Sequence, residues 1–258
     1  MPQSDDIYSA FDRLSPWTHG RLIEPCDHYR KTNEARLAIM IADGEIEPPL
    51  VPALRGKQNA IFVGSSTAAE RLRLKIYGDN NVIFIGAHCR VGGDIEVKGS
   101  GNVIYIGAFT TISSITVNQT GDGGAFVIGD HCMLSSRIQV GNTDGHSIFD
   151  LSSGQRINLD KDVYIADKVW IARDVSISKG ARINSGVVVG QKAHVSGELH
   201  ANCVYAGVPA RKLRENITWS RCSEPTLTEM EQGAHNRRLK KQEQDLLEKI
   251  RRRIKACG

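Results

Sequence analysis

The chain has 258 residues, 40% hydrophobic but only 6% aromatic, with 25 glycines. That composition supports a sizeable core and excludes a disordered chain, and it suits thin coils filled by Ile and Val better than a sandwich or bundle. The net charge of +4 is concentrated in the tail: Arg237 to Lys255 holds nine Lys/Arg and three Asp/Glu, so the remainder is near −2, which gives no general argument for nucleic acid as a partner.

The opening Met-Pro-Gln-Ser-Asp-Asp has neither a basic region nor an apolar run, so no secretory signal is expected. No stretch approaches 18 apolar residues, so no membrane span is expected. The six cysteines (26, 89, 132, 203, 222 and 257) form no CxxC. They read as reduced cytosolic thiols and small core residues rather than disulfides or zinc ligands.

In chain order, residues 1–60 do not repeat and are expected to cap one end of the fold. Within them Tyr29 to Ala42 is expected to be a helix, with Ala35, Leu37, Ala38, Met40 and Ile41 on its apolar side. The proline-rich Glu47 to Pro52 stops it. Trp17, His19 and His28 read as packing and surface residues in preference to an acceptor site.

Residues 61–214 form one repetitive domain. Ile85, Ile106 and Ile128 each precede Gly and lie 21 and 22 residues apart. Three hexapeptides make 18, so each coil carries extra residues at one corner, where Gly78 to Asn81, Gly99 to Asn102 and Thr120 to Gly124 are the loops. From Ile165 the period becomes strict. Ile165, Ile171, Ile177, Ile183, Val189 and Val195 recur every six residues. Val169, Val175, Ala181, Val187, Ala193 and Leu199 form a second series, two before each next aliphatic position. Residues two apart on a strand face the same side, so both series are expected inside a solenoid of short parallel strands. The rhythm breaks between Ile128 and Ile165. The excursion, residues 141–158, adds nothing a solenoid needs, and functional groups favour loops on rigid frames. Residues 215–226 read as a linker. Residues 227–256 read as a basic helix with Leu239, Leu246, Leu247, Ile250 and Ile254 on one side, suited to packing on a subunit or to a peripheral contact with an anionic membrane or polyanion.

The repeat, the loop segment Asp144-Gly-His-Ser-Ile-Phe-Asp150, Val169-Trp170-Ile171 and the ending Ala206-Gly-Val-Pro-Ala210 together resemble the hexapeptide-repeat acyltransferases. Within them the resemblance is to the galactoside, maltose and virginiamycin O-acetyltransferase branch, and most of all to enzymes that acetylate capsule or lipopolysaccharide sugars. It covers roughly residues 75–214. It implies an all-β left-handed parallel β-helix, an exception to the usual right-handed crossover. It also implies homotrimers with sites in the clefts between subunits and acetyl-CoA lying along the coils. The implied activity is O-acetylation of a sugar hydroxyl of a bacterial surface polysaccharide or its precursor, in the cytoplasm or peripherally at the inner membrane face. The alternatives are N-acetylation of an amino-sugar nucleotide, acetylation of an antibiotic, and a non-catalytic β-helix scaffold.

A sugar hydroxyl is a poor nucleophile at neutral pH, and a positioned His is the usual remedy. His146 matches the family's catalytic His, and Asp144 or Asp150 are candidates to orient it. Trp170 and Asn142 are assigned to the acceptor or cofactor cleft. The resemblance places the oxyanion donor at the backbone of Arg173, beside Ala172, where relatives carry Gly and a small polar residue. It places the pantetheine arm along Gly190-Gln191 and Ser196-Gly197, and the 3′-phosphate at Arg211 and Lys212. His88 and His131 recur at equivalent positions and read as structural. His194 and His200 suggest no zinc site, and no metal is expected.

Overall fold

The computed structural model describes the backbone of residues 30–34 and 37–41 and the whole of residues 53–221. The expected C-terminal helix, Trp17, His19 and His28 lie outside them. The described residues form a parallel β-solenoid without helix. The first face stacks Asn59–Val63, Val82–Ile85, Val103–Ile106, Ala125–Ile128, Val163–Ile165, Arg182–Ile183 and Glu198–Leu199 in parallel. Arg90–Lys98 and Thr111–Thr120 bend through the second and third faces without interruption. In the next coil those faces separate: Met133–Leu134 pairs with the start of Thr111–Thr120, and Ile138–Gly141 with its end. Above them stand Trp170–Ile171, Val188–Val189 and Val204–Ala206 on the second face, and Ser176–Ile177 and His194–Val195 on the third.

Both hexapeptide series point inward. All twelve residues from Ile165 to Leu199 are at most 3% exposed and join one continuous core. The six-residue period follows from the geometry: two alternate residues fill the interior, and the polar residues between them turn the chain. The first face is apolar on its outer side as well. There Ala60, Phe62, Phe84, Tyr105, Val127 and Tyr164 belong to a second buried cluster, and Phe84 stacks on Tyr105 with centroids 5.1 Å apart. Runs such as Val82–Ile85 are therefore continuously apolar, as in sheets buried on both faces.

The corners explain the Ile-Gly pairs. A Cβ on Gly86 would sit 2.5 Å from the Ala108 nitrogen in the next coil, so only glycine permits that approach. The residues two beyond, His88, Phe109 and His131, take positive φ of 55–58°. Their rings stack at 4.9 Å spacing, so these histidines form a corner ladder. Asparagines do comparable work between the third and first faces: Asn59 accepts from Asn81, and Asn81 from Asn102, all buried. Such fully paired buried amides hold the coils in register.

Two sequence expectations change. The described residues within the expected helix are strands instead. Arg30–Glu34 and Leu37–Ile41 are antiparallel strands, and the second extends the first face in parallel with Asn59–Val63. An open sheet edge offers this segment a full row of backbone partners, which outweighs weak helical propensity. The start of the expected linker also lies on the solenoid. Ile217 N–H donates to Asn202 O, Trp219 Nε1 donates to Lys168 O at 2.7 Å, and the Arg221 guanidinium reaches Thr111, Phe109 and Cys132.

Ile171→Ala, at a site with no exposure, is expected to lower the unfolding free energy by about 2–5 kcal/mol, and Ile171→Val by about 0.5–1.5 kcal/mol. Urea denaturation followed by circular dichroism measures both.

Candidate functional site

The excursion leaves the third face after Gly141 and re-enters the first face at Val163. It does not disturb the stack: Phe126 pairs with Val163, as Val103 pairs with Ala125. Its inner half is a small antiparallel arm. Phe149 bridges Arg156, Ile157 N–H donates to Ile148 O, and Asp150 N–H donates to Gln155 O, both at 2.9 Å. At the arm's tip the Asp150 carboxylate accepts from the backbone and hydroxyl groups of Ser152 and Ser153. Those bonds pull its pKa from 3.8 to about 2. Asp150 therefore shapes a turn.

Asn158 fastens the arm's base. Its Nδ2 donates to His146 O at 2.8 Å and to Asp144 Oδ2 at 2.9 Å, and its Oδ1 accepts from Ile148 N–H at 2.7 Å. One buried amide thus fixes the backbone on both sides of Ser147. From the third face, Lys179 donates to Asp144 Oδ2 at 2.5 Å and to Asn158 O at 2.9 Å. The Asp144 carboxyl is held below its ordinary range by these bonds, Lys179 first and Asn158 second. One oxygen of the carboxylate expected to orient the imidazole is thus held by Lys179 and Asn158. Asn158, which shares that oxygen with Lys179, bonds the His146 carbonyl, while the imidazole stands in the exposed part of the loop.

Asn142 sits at the root of the excursion and is 3% exposed. Its carboxamide exchanges bonds with Thr120 N and O at 2.8 and 2.7 Å. It is part of the frame rather than of an open cleft wall. Trp170 projects from the second face with 37% of its surface exposed, its ring tilted against the buried Trp219 with centroids 6.0 Å apart. Ala172 N–H is committed to Val189 O at 2.9 Å. The Arg173 side chain lies 3.6 Å from Asp174, itself paired with Arg137. Gly190 lets the chain pass the next coil, where a Cβ would meet Ala206 Cβ at 2.8 Å. Gln191, Ser196 and Gly197 are exposed, and Gly197 has open space around it. Arg211 and Lys212 lie exposed on Arg211–Arg214, antiparallel to Val204–Ala206, with Lys212 3.0 Å from Glu215.

The expected site residues therefore do not converge within one chain. His146 and Asp144 stand beyond the third face, Trp170 and Arg211 on the second. Asn158, Lys179 and Trp219 support them and were not singled out from sequence. Asn158 does lie at the end of the excursion, where a residue must close its base. Beside the arm's root, the outer third face forms a cleft of about 570 Å³ whose lining includes Thr116, Asn118, Gln139, Ser176, Asp144 and Lys179. Ser178, also in this cleft, shares a 3.2 Å hydrogen bond with His194. Among the described residues no group of three or more His, Cys, Asp or Glu is arranged to hold a metal. Burial raises the thiol pKa values of Cys89, to about 11, and of Cys132, which suits packing rather than nucleophilic work.

No family model matches the chain. A polysialic acid O-acetyltransferase of Neisseria meningitidis is 33% identical over 204 residues, 68% of this chain and 95% of that protein. A polysialic acid O-acetyltransferase of Escherichia coli O1:K1 / APEC is 38% identical over 85 residues, which span 33% of this chain and only 28% of that protein. Among solved structures, the polySia specific acetyltransferase NeuO superposes with a TM-score of 0.65 at 29% identity, covering 78% of this chain and 91% of that one. The polysialic acid O-acetyltransferase OatWY gives 0.62 at 28% identity, covering 79% and 99%.

Asn158→Ala is expected to leave the solenoid's melting temperature nearly unchanged while speeding amide exchange across residues 143–160, read by hydrogen–deuterium exchange. The tip responds to acid with a defined sign. The depressed Asp150 pKa means its contribution is complete above about 3.8 and is lost as pH falls through about 2. The Ser152 and Ser153 amide resonances should hold their positions down to about pH 4 and collapse towards random-coil values near pH 2.

Proposed function

Because this chain belongs to the hexapeptide-repeat acyltransferases, in their sugar O-acetyltransferase branch, we propose that it transfers the acetyl group of acetyl-CoA to a hydroxyl of a bacterial polysaccharide or its precursor. The observation that carries this reading is the arm: a histidine on an ordered excursion from an otherwise unbroken frame, its backbone pinned by a buried amide.

In this reading His146 removes the proton from the acceptor hydroxyl as its oxygen attacks the thioester carbonyl carbon. The new C–O bond forms, charge collects on the carbonyl oxygen, and collapse breaks the C–S bond. The thiolate leaves with the proton returned by the imidazolium. With Ala172 N–H already bonded to Val189 O, the amide of Arg173 is the oxyanion donor of that pair. The raised pKa values of Cys89 and Cys132 support direct transfer without an acyl-enzyme on these thiols. The donor lies against Gly190, Gln191, Ser196 and Gly197, with Arg211 and Lys212 towards its phosphates.

A complete site takes more than one copy of the chain. His146 and Trp170 leave the solenoid from different faces, and the arm exposes Ile148, Phe149, Leu151, Ile157 and Leu159, each at least half in solvent. So much apolar surface on one arm calls for cover. A left-handed solenoid assembled as a homotrimer supplies that cover and brings His146 of one copy towards Trp170 of another. The supply of acetyl-CoA puts the reaction in the cytoplasm.

His146→Ala is expected to lower kcat by about 10²–10⁴-fold while the variant remains folded and binds acetyl-CoA as before. Thiol release from acetyl-CoA in the presence of polysaccharide, with calorimetry for binding, measures this; unchanged turnover would remove His146 from the mechanism.

A further inference from the structure

The cleft on the third face runs along the solenoid from the coil of Glu96 to that of Ser176. Its floor is a register of short polar side chains. Thr116, Gln139 and Ser176 are direct neighbours on three successive coils. Beside them Glu96 neighbours Asn118, and Asn118 neighbours Gly141. Gly141 has no side chain and is where the chain turns out into the arm, so the cleft opens towards the loop that carries His146. At about 4.8 Å per coil, the cleft is about 14 Å long over these four coils, room for roughly three sugar units in a row.

Its charge is balanced. The charged residues lining it are Glu96, Lys98, Asp144 and Lys179, two of each sign. Each lysine already has its carboxylate: Lys98 to Glu96 at 2.9 Å, and Lys179 to Asp144 at 2.5 Å. A polyanion entering here would gain no net attraction from the cleft and would have to displace Glu96 or Asp144 from its lysine. The hydroxyls and amides of Thr116, Asn118, Gln139 and Ser176 can donate and accept alike. That suits sugar hydroxyls, which do the same.

We propose that this cleft is the acceptor subsite and that it takes a short run of neutral, hydroxyl-rich sugar residues, lying along the solenoid and leading to the arm. The proposal rests on the acetyl-transfer reading above and narrows its substrate class: the acceptor segment held here is uncharged.

The test uses the full chain, acetyl-CoA and a panel of saccharides: dextran, mannan, galactan and N-acetylglucosamine oligomers as neutral acceptors, polysialic acid and polygalacturonate as anionic ones. Transfer is expected to a neutral member, with kcat/KM changing less than about twofold between about 50 and about 500 mM salt. KM should fall about tenfold from the monosaccharide to the trisaccharide of that polymer and then level. Asn118→Trp, at an exposed position on the cleft floor, should abolish this gain with length while leaving the KM for acetyl-CoA unchanged. Gln139→Trp should do the same one coil on, with circular dichroism confirming that both variants fold. The proposal is overturned by a preferred anionic acceptor whose turnover falls steeply with salt, by a length series indifferent to both substitutions, or by a rise in the acetyl-CoA KM, which would make the cleft the donor's. Absence of transfer to every saccharide would remove the acetyl-transfer reading and the subsite with it, whereas transfer indifferent to both tryptophans removes the subsite alone.

Discussion

Gly64 N–H donates to Ile85 O, Gly86 N–H to Ile106 O, and Gly107 N–H to Ile128 O, each at 2.8 Å. Gly129 N–H makes the same bond at the same length to Ile165 O, although the whole excursion intervenes. A coil here has little hydrogen bonding within itself. Its backbone polar groups are satisfied by the coils on either side, and leaving them unpaired in the interior would be costly. The extra residues must therefore leave and return at one corner without shifting the register by a single residue, because a slip would turn interior Ile and Val outward. The arm is the form an insertion takes when the frame cannot bend to absorb it.

That constraint gives the chemistry a fixed base. Asn142 ties the excursion's root to Thr120, Asn158 ties the segment around His146 together, and Lys179 joins Asp144 and Asn158 to the third face. Exposed ion pairs contribute little to stability by themselves. The Lys179–Asp144 contact matters because it shares its atoms with the Asn158 amide, so that charge and hydrogen bonds define one backbone geometry. The tip carries its own turn, built by Asp150 on Ser152 and Ser153. The position of the His146 backbone thus depends on a chain of contacts that begins in the coil ladder.

Family membership and physical reading agree on the activity and differ in grain. The Neisseria meningitidis relative is matched over almost its full length, which places this chain among sugar O-acetyltransferases. The cleft beside the arm, with paired charges and a polar floor, concerns which sugar. A related frame can keep its transfer chemistry while the polar side chains on the outer third face change, because the backbone ladder and the inward residues hold the coils in register.

The twelve inward residues from Ile165 to Leu199 were legible in the sequence because a narrow interior admits only small apolar side chains at a strict period. The break before Ile165 was legible for the same reason, and with it the loop bearing His146. Residues whose role depends on distant partners were not. Leu37–Ile41 carries apolar residues that fit a helix as well as a strand, and only the edge at Asn59–Val63 made it a strand. The pairing of Asp144 with Lys179, 35 residues away, has no local signature. Trp219 read as linker, yet it packs against Trp170 and donates to Lys168 O, 51 residues back. The sequence by itself determined the solenoid and the place of its interruption, since both follow from local period. Tertiary structure alone decided which groups each polar side chain meets, since those partners come from other coils and no local pattern encodes them.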